Sequence, residues 1–304
     1  MNKLYIYSMK ILKNLDRETF KARFGDKKAC FKYLADLKWK VDYNCIKCDY
    51  TDYIKGKQPS SRKCRKCGYD ESPTAGTLFH RLKFGIDKAF EMLYEITVGK
   101  KGASSIWLAE HFGVQQKTAW YFRKKVQQVM KSSGKHPLEG KVHVDEFEIG
   151  TPQKGEQGRS ASEKKIRVVI AVEEREGKSG RAYAKVIEDY SAASLKPIFE
   201  EHISKQADVL ADGWAGYKPI KKEYPSLDQI LSDGGKNFKM LHIQIRNFKN
   251  WLRGTHSYCN REYLQNYIDE YFFRFNRRNH RGTILDKIIE RCVVQPPFYL
   301  SAGT

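Results

Sequence analysis

Apolar residues recur at helical spacing over residues 15–40, where Phe20, Phe24, Phe31, Leu34 and Leu37 form the apolar set. The period returns from Phe84 to Met130, broken once between Gly99 and Gly102. Ser132 to Gly140, carrying Gly134, Pro137 and Gly140, reads as a linker. Beyond it the pattern changes. Val142 to Ile149, Ile166 to Val172, Ala182 to Ile187 and Val209 to Ala211 are short runs rich in Val, Ile and Ala, which predict strands. Ser191 to Lys205 predicts a helix between the last two. The final third predicts helices from Asn237 to Leu252 and from Asn260 to Arg278, with Gly254 between them. Three strands, a helix, a strand and then helices predict an α/β domain with a mixed sheet covered by helices.

Charge narrows the function. The 304 residues hold 56 Lys+Arg against 36 Asp+Glu, a formal net charge of +20. So basic a surface suits a polyanion, because each neutralised phosphate releases a condensed counterion. A membrane surface fits less well, since no long amphipathic helix carries one basic face. No apolar run approaches the ~20 residues that span a bilayer. Met1 to Lys13 shows no long apolar block or small-residue cleavage site, so a cytoplasmic, nucleoid-associated protein is expected. The seven cysteines are an odd number, and four stand in two close pairs, a pattern of metal binding in a reducing compartment.

Those pairs are Cys45 with Cys48 and Cys64 with Cys67, each spaced C-x2-C, with fifteen residues between them. Two such knuckles complete a tetrahedral thiolate shell for structural zinc, which leaves no position open for substrate. The alternative is four buried thiols that meet by chance. Cys30, Cys259 and Cys292 stand alone and are read as core thiols. Farther on, Ser104 to Val114 predicts a helix ending at the turn residue Gly113, with the small Ala109 four positions earlier, and a second helix starts near Gln115. Gln115, Gln116, Lys117, Thr118, Tyr121, Arg123 and Lys124 are of types that suit base edges and phosphates. A plain αα-hairpin with a basic solvated face would look similar; the neighbouring ribbon and the charge favour a DNA-binding helix-turn-helix.

Asp145 lies inside the apolar run around Val142, although Asp is poor in strands. Asp212 follows Val209-Leu210-Ala211, at the carboxyl end of a predicted strand, where α/β folds commonly place their chemistry. Two such acids on adjacent strands can hold divalent cations for phosphodiester chemistry; turn or cap use is the ordinary alternative. Glu146 and Glu148 rank below Asp145, because strand alternation puts them on the opposite face. His242, Arg246 and Lys249 share one helical face, as do Glu270, Arg274 and Arg277. Each trio is either turned to metal and phosphate or a solvated charge ladder.

Taken in order, these features resemble the DDE transposases of the insertion-sequence family numbered fifteen ninety-five. The resemblance runs to about His280. It rests on the four-cysteine ribbon, on Ser72-Pro73-Thr74-Ala75-Gly76-Thr77-Leu78-Phe79-His80, and on the helix-turn-helix with Lys117-Thr118-Ala119-Trp120. It continues through Val144-Asp145-Glu146, Ala211-Asp212-Gly213-Trp214, Asn247-Phe248-Lys249 through His256, and Tyr267 to Arg278. The resemblance implies a multidomain α+β chain. Residues 1–80 would be an N-terminal helix and zinc ribbon, 81–138 a helix-turn-helix DNA-binding domain, and 139–304 an RNase H-like catalytic domain with a mixed sheet. It implies Asp145 and Asp212 as ligands of catalytic Mg or Mn, and Lys249 as the motif lysine. His242, Glu270, Arg274 and Arg277 complete the expected catalytic set. One departure stands out: the third catalytic position, seven residues before the lysine, is usually Glu or Asn and here is His242. The implied partners are double-stranded DNA at element ends and target, and further copies of the chain on DNA, with no membrane. Three functions stay open: an active transposase, a DNA-binding regulator whose site has lapsed at His242, and a metal-dependent nuclease without strand transfer.

Overall fold

The computed structural model describes residues 15–99, 101–150, 165–231, 233–256 and 259–298, so the segment from Met1 to Lys13 lies outside the described residues. The chain forms two compact units, Met1–Val129 together with Arg277–Thr304, and Met130–Asn276.

The first unit opens with α1 (Arg17–Phe24) and α2 (Lys27–Lys38), two helices where the apolar period predicts one. Gly25-Asp26 makes the break: Asp26 is extended, and its carboxylate accepts the Ala29 N–H at 2.7 Å, capping a new helix. A small antiparallel sheet follows, β1 (Tyr53–Lys55), β2 (Arg62–Cys64) and β3 (Asp70–Glu71), in that order. Then come α3 (Ile86–Val98), α4 (Ser105–Phe112) and α5 (Gln116–Met130). Gly113 ends α4 in the left-handed region (φ 59°), a conformation that costs glycine nothing, and Val114 N–H returns to Ala109 O at 3.1 Å. This is a helix-turn-helix.

The second unit is built on β4 (Lys141–Ile149), β5 (Ile166–Arg175), β6 (Lys178–Ile187), α6 (Ala192–His202), β7 (Asp208–Asp212) and β8 (Leu227–Ile230). Helices α7 (Lys239–Thr255) and α8 (Arg261–Phe275) complete it. The strand order is β6-β5-β4-β7-β8; β4, β5 and β6 run antiparallel, while β7 lies parallel to β4 and β8 to β7. Counted within the unit this is 3-2-1-4-5, the RNase H-like arrangement. Strand β8 is absent from the sequence expectation because Leu-Asp-Gln-Ile is too short and too polar to show a period.

Alternation along the strands makes two cores. Val142, Val144, Val169 and Ala171 pack with Leu195, Ile198 and Phe199 of α6 on one face. Phe147, Val168, Ile170 and Val172 pack with Leu241 and Phe248 of α7 and with Leu264, Ile268 and Phe272 of α8 on the other. The outer edge of β6 is covered by side chains: Asn276 bonds both backbone groups of Ala182 at 2.9 Å, and Gln265 bonds Val186 N–H and Ala184 O.

The segment read as a linker is partly fixed. Leu138 bridges Ile203 in parallel, and Arg181 donates to His136 O and Pro137 O. Lastly, α9 (Ile284–Val294) packs with α2 and α3, and its Asp286 accepts from Arg23 at 2.7 Å and from Tyr33 at 2.6 Å. The sequence division placed this helix with the sheet.

Candidate metal centre

Parallel pairing of β4 with β7 sets Val144 beside Ala211, and β7 ends at Asp212. Asp145, the next residue of β4, therefore stands level with Asp212 where the neighbouring strand stops. Asp145, Glu146 and Asp212 each offer a carboxylate oxygen within 4.8 Å of the others'. This differs from the expectation for Glu146. Alternation does send it to the α6 face, the face of Val142 and Val144. With no strand alongside past Asp212, however, carboxylates from both faces meet over the open end of β7.

Local hydrogen bonds orient the acids. Asp145 Oδ1 accepts the Glu146 N–H at 2.8 Å, and Asp212 Oδ1 accepts the Trp214 N–H at 3.0 Å. Gln229 of β8 donates to Asp212 O at 2.9 Å and to Trp214 O at 2.7 Å, and the Trp214 indole donates to Tyr190 O at 2.8 Å. Gly216 is needed here: a Cβ would lie 2.5 Å from Tyr190 O and 2.7 Å from the Trp214 indole nitrogen. Glu148 is engaged elsewhere, accepting Tyr190 Oη–H at 2.6 Å and pairing with Lys165 at 3.2 Å.

From α7, His242 Nε2 lies 3.2 Å from Asp145 Oδ2, and this hydrogen bond raises the imidazole pKa against the effect of partial burial. Lys249 lies with its Nζ 5.4 Å from the Phe147 ring centre; burial, then Arg253, lowers its pKa. Two expected members are placed differently. Glu270 is wholly buried and lies 3.6 Å from Arg274, whose guanidinium sits 5.9 Å from the Trp251 ring. Helix α8 rests on β6, two strands from β4, which keeps Glu270 out of the carboxylate group. Arg277 follows the end of α8, so helical spacing does not carry it onto the face of Glu270 and Arg274.

The donor chemistry suits hard divalent cations, which prefer carboxylate oxygen. Ligands sharing an octahedral ion at ~2.1 Å stand about 3 Å apart, close to the 3.2 Å between Asp145 and His242.

In the first unit the four paired cysteines converge, with Cys45 Sγ to Cys67 Sγ at 3.6 Å and Cys48 Sγ to Cys64 Sγ at 3.7 Å. A tetrahedral shell with Zn–S of ~2.3 Å has edges of about 3.8 Å, so the thiols fit it. The two knuckles repeat one design. Cys45 N–H bonds Tyr50 O and Cys64 N–H bonds Tyr69 O, while Asp49 and Gly68 take the left-handed turn position. Burial would raise the Cys45 thiol, but the backbone N–H groups of Lys47 and Cys48 hold it at about 7.

Gln115, just before α5, and Gln116 and Lys117 at its start are exposed, and Thr118 and Tyr121 are half-buried. Arg123 and Lys124 are buried, at 2% and 1% exposure, and leave the set of base and phosphate readers. Arg123 falls four residues after Ala119 and three before Val126, both fully buried, so helical spacing turns it inward. Cys30 and Cys292 are buried as expected, whereas Cys259 is partly exposed.

Residues 137–276 match the family model described as the ISXO2-like transposase domain. No curated protein matches the chain. Among solved structures, a pre-cleavage Mos1 transpososome aligns with 10% identity and a TM-score of 0.25, over 69% of this chain and 79% of that one; a likeness so slight bears no weight.

Proposed function

We propose, from the match of residues 137–276 to the ISXO2-like transposase domain, that the chain is a DDE-type transposase. It binds the terminal inverted repeats of an insertion sequence and carries out metal-dependent strand cleavage and strand transfer. The observation that carries this reading is the meeting of Asp145 and Asp212, from two strands, at the open end of β7. Divalent Mg or Mn held there supplies activation of the attacking oxygen and stabilisation of the leaving one. Asp145 and Asp212 hold the metal, and His242 offers a nitrogen beside Asp145. Lys249, a cation beside the end of β4, meets the phosphate of the cleaved strand.

DNA is engaged by the basic surface, by Gln115 and by the exposed start of α5 at Gln116 and Lys117, with Thr118 and Tyr121 beside them. Zinc on Cys45, Cys48, Cys64 and Cys67 keeps the ribbon folded. Joining two element ends calls for at least two copies on DNA, in the bacterial cytoplasm at the nucleoid. Among the described residues no helix is long and apolar enough to cross a membrane.

Asp145→Asn and Asp212→Asn separate binding from chemistry. Each should abolish cleavage and joining of labelled element ends while leaving end binding by gel shift within about twofold, the loss of one charge of many. Normal joining by either variant would place the metal ligands elsewhere.

A further inference from the structure

We propose that Glu146 supplies a third carboxylate to the metal centre, where position 242 offers a histidine, and that Tyr217 holds it there. The proposal rests on the metal-centre reading above. A histidine at 242 brings a lone pair but no negative charge. Asp145 and Asp212 alone would therefore leave the site one charge short of three carboxylates. Glu146 lies one residue along β4 from Asp145, and its carboxylate is within 4.8 Å of both partners.

The other acids nearby are committed. Glu148 is bonded to Tyr190 and paired with Lys165, and Glu270 stands by Arg274 beneath β6.

A second observation points into the same place. Tyr217 is fully buried in the core beneath the α6 face, and its side chain hydrogen-bonds Glu146. A buried O–H donor without an acceptor is unfavourable unless something nearby takes the proton's hydrogen bond. The Glu146 carboxylate is the acceptor here. Tyr217 sits in the turn Ala215–Tyr217, just after Asp212 and fixed by the close approach of Gly216 to Tyr190 O. The same loop thus carries one metal ligand and the group that positions another. Tyr217 acts through Glu146 and does not reach the reacting atoms.

The test is Mn²⁺ binding to the zinc-loaded, full-length protein, followed by loss of the free-ion electron paramagnetic resonance signal, with end cleavage measured in parallel. Loss of a ligand or its orienting partner commonly weakens metal affinity ~10–100-fold. Glu146→Gln should fall in that range, as Asp145→Asn should. Glu146→Asp, which keeps the charge, should bind better than Glu146→Gln. Tyr217→Phe should raise the Mn²⁺ needed for cleavage several-fold, with excess Mn²⁺ recovering activity. Unchanged zinc content and end binding report that each variant is folded. Wild-type Mn²⁺ affinity in Glu146→Gln, with affinity lost in Asp145→Asn, would overturn the role of Glu146 and leave the centre in place. Wild-type affinity in both would overturn the centre itself.

Discussion

Asp269 accepts a hydrogen bond from Gln265 of the same helix at 2.9 Å, and burial lifts its carboxyl to about 6. Lys131 and Lys185 pull the value down and Glu201 pushes it up, but burial prevails. Because the folded pKa exceeds the unfolded one, the folded state binds the proton more tightly. Stability therefore falls as pH rises from about 4 to about 6, and the full cost is present at neutral pH. Asp269→Asn should stabilise the protein at pH 7, by an upper bound of about 3 kcal/mol at ~1.4 kcal/mol per pK unit, and by almost nothing at pH 4. Thermal melts at the two pH values check this; an equal shift at both would refute the ionisation account. At this scale residue types were legible and their directions only partly so. The four thiols stood out by spacing, Asp145 as an acid inside a strand and Asp212 as an acid at a strand's end, and the structure brings each set together. Arg123 and Lys124 looked like phosphate ligands because composition does not say which side of α5 is covered. Glu146 was set aside by alternation, a rule about Cβ directions that does not govern where two carboxylates end up once the next strand stops. Tyr217 gave no signal in the sequence, since its burial arises from a turn packing beneath the sheet.

Helix α8 shows what an element does beyond filling a core. Its Gln265, with Asn276 just past its end, satisfies backbone groups along the free edge of β6. Asn276→Ala strands both groups of Ala182 and should cost about 1–3 kcal/mol in chemical denaturation, the penalty of buried groups left unpaired. The same loss opens a strand edge and should increase aggregation; an unchanged denaturation midpoint would show that water replaces the bonds. The ribbon is a contrasting element, three strands of two or three residues that depend on their thiols. Zinc binding is worth ~10–16 kcal/mol in peptides of this kind. Cys64→Ser should release the metal and weaken DNA binding, and a zinc-free variant with full DNA binding would remove zinc from the ribbon's structural role. Elements with a clear period or strict spacing were legible within a few residues. The exceptions were the capping Asp26, which starts a second helix, β8, which is too short to carry a pattern, and α9 (Ile284–Val294), for which no helix was expected.

The molecule divides into a unit bearing the ribbon and helix-turn-helix and a unit bearing the sheet. That α9 belongs with the first could not be read from the sequence. Its apolar face would serve either unit, and only the pairing of Asp286 with Arg23 and Tyr33 shows where it sits. A fragment ending at residue 138 would lose this helix from its core, so DNA recognition belongs to experiments on the whole chain. With +20 net charge, end binding should weaken steeply as salt rises. The central claim, that one carboxylate centre both cuts and joins DNA, is tested most directly by incubating the full-length protein with labelled element ends and plasmid target in Mn²⁺ or Mg²⁺. Separating the products on denaturing gels should reveal strands nicked at the element ends and the same labelled strands joined to plasmid, both lost on metal removal. Nicked strands that never join would make the protein a nuclease, and intact ends held in a stable complex would make it a DNA-binding protein without chemistry; either result contradicts the account.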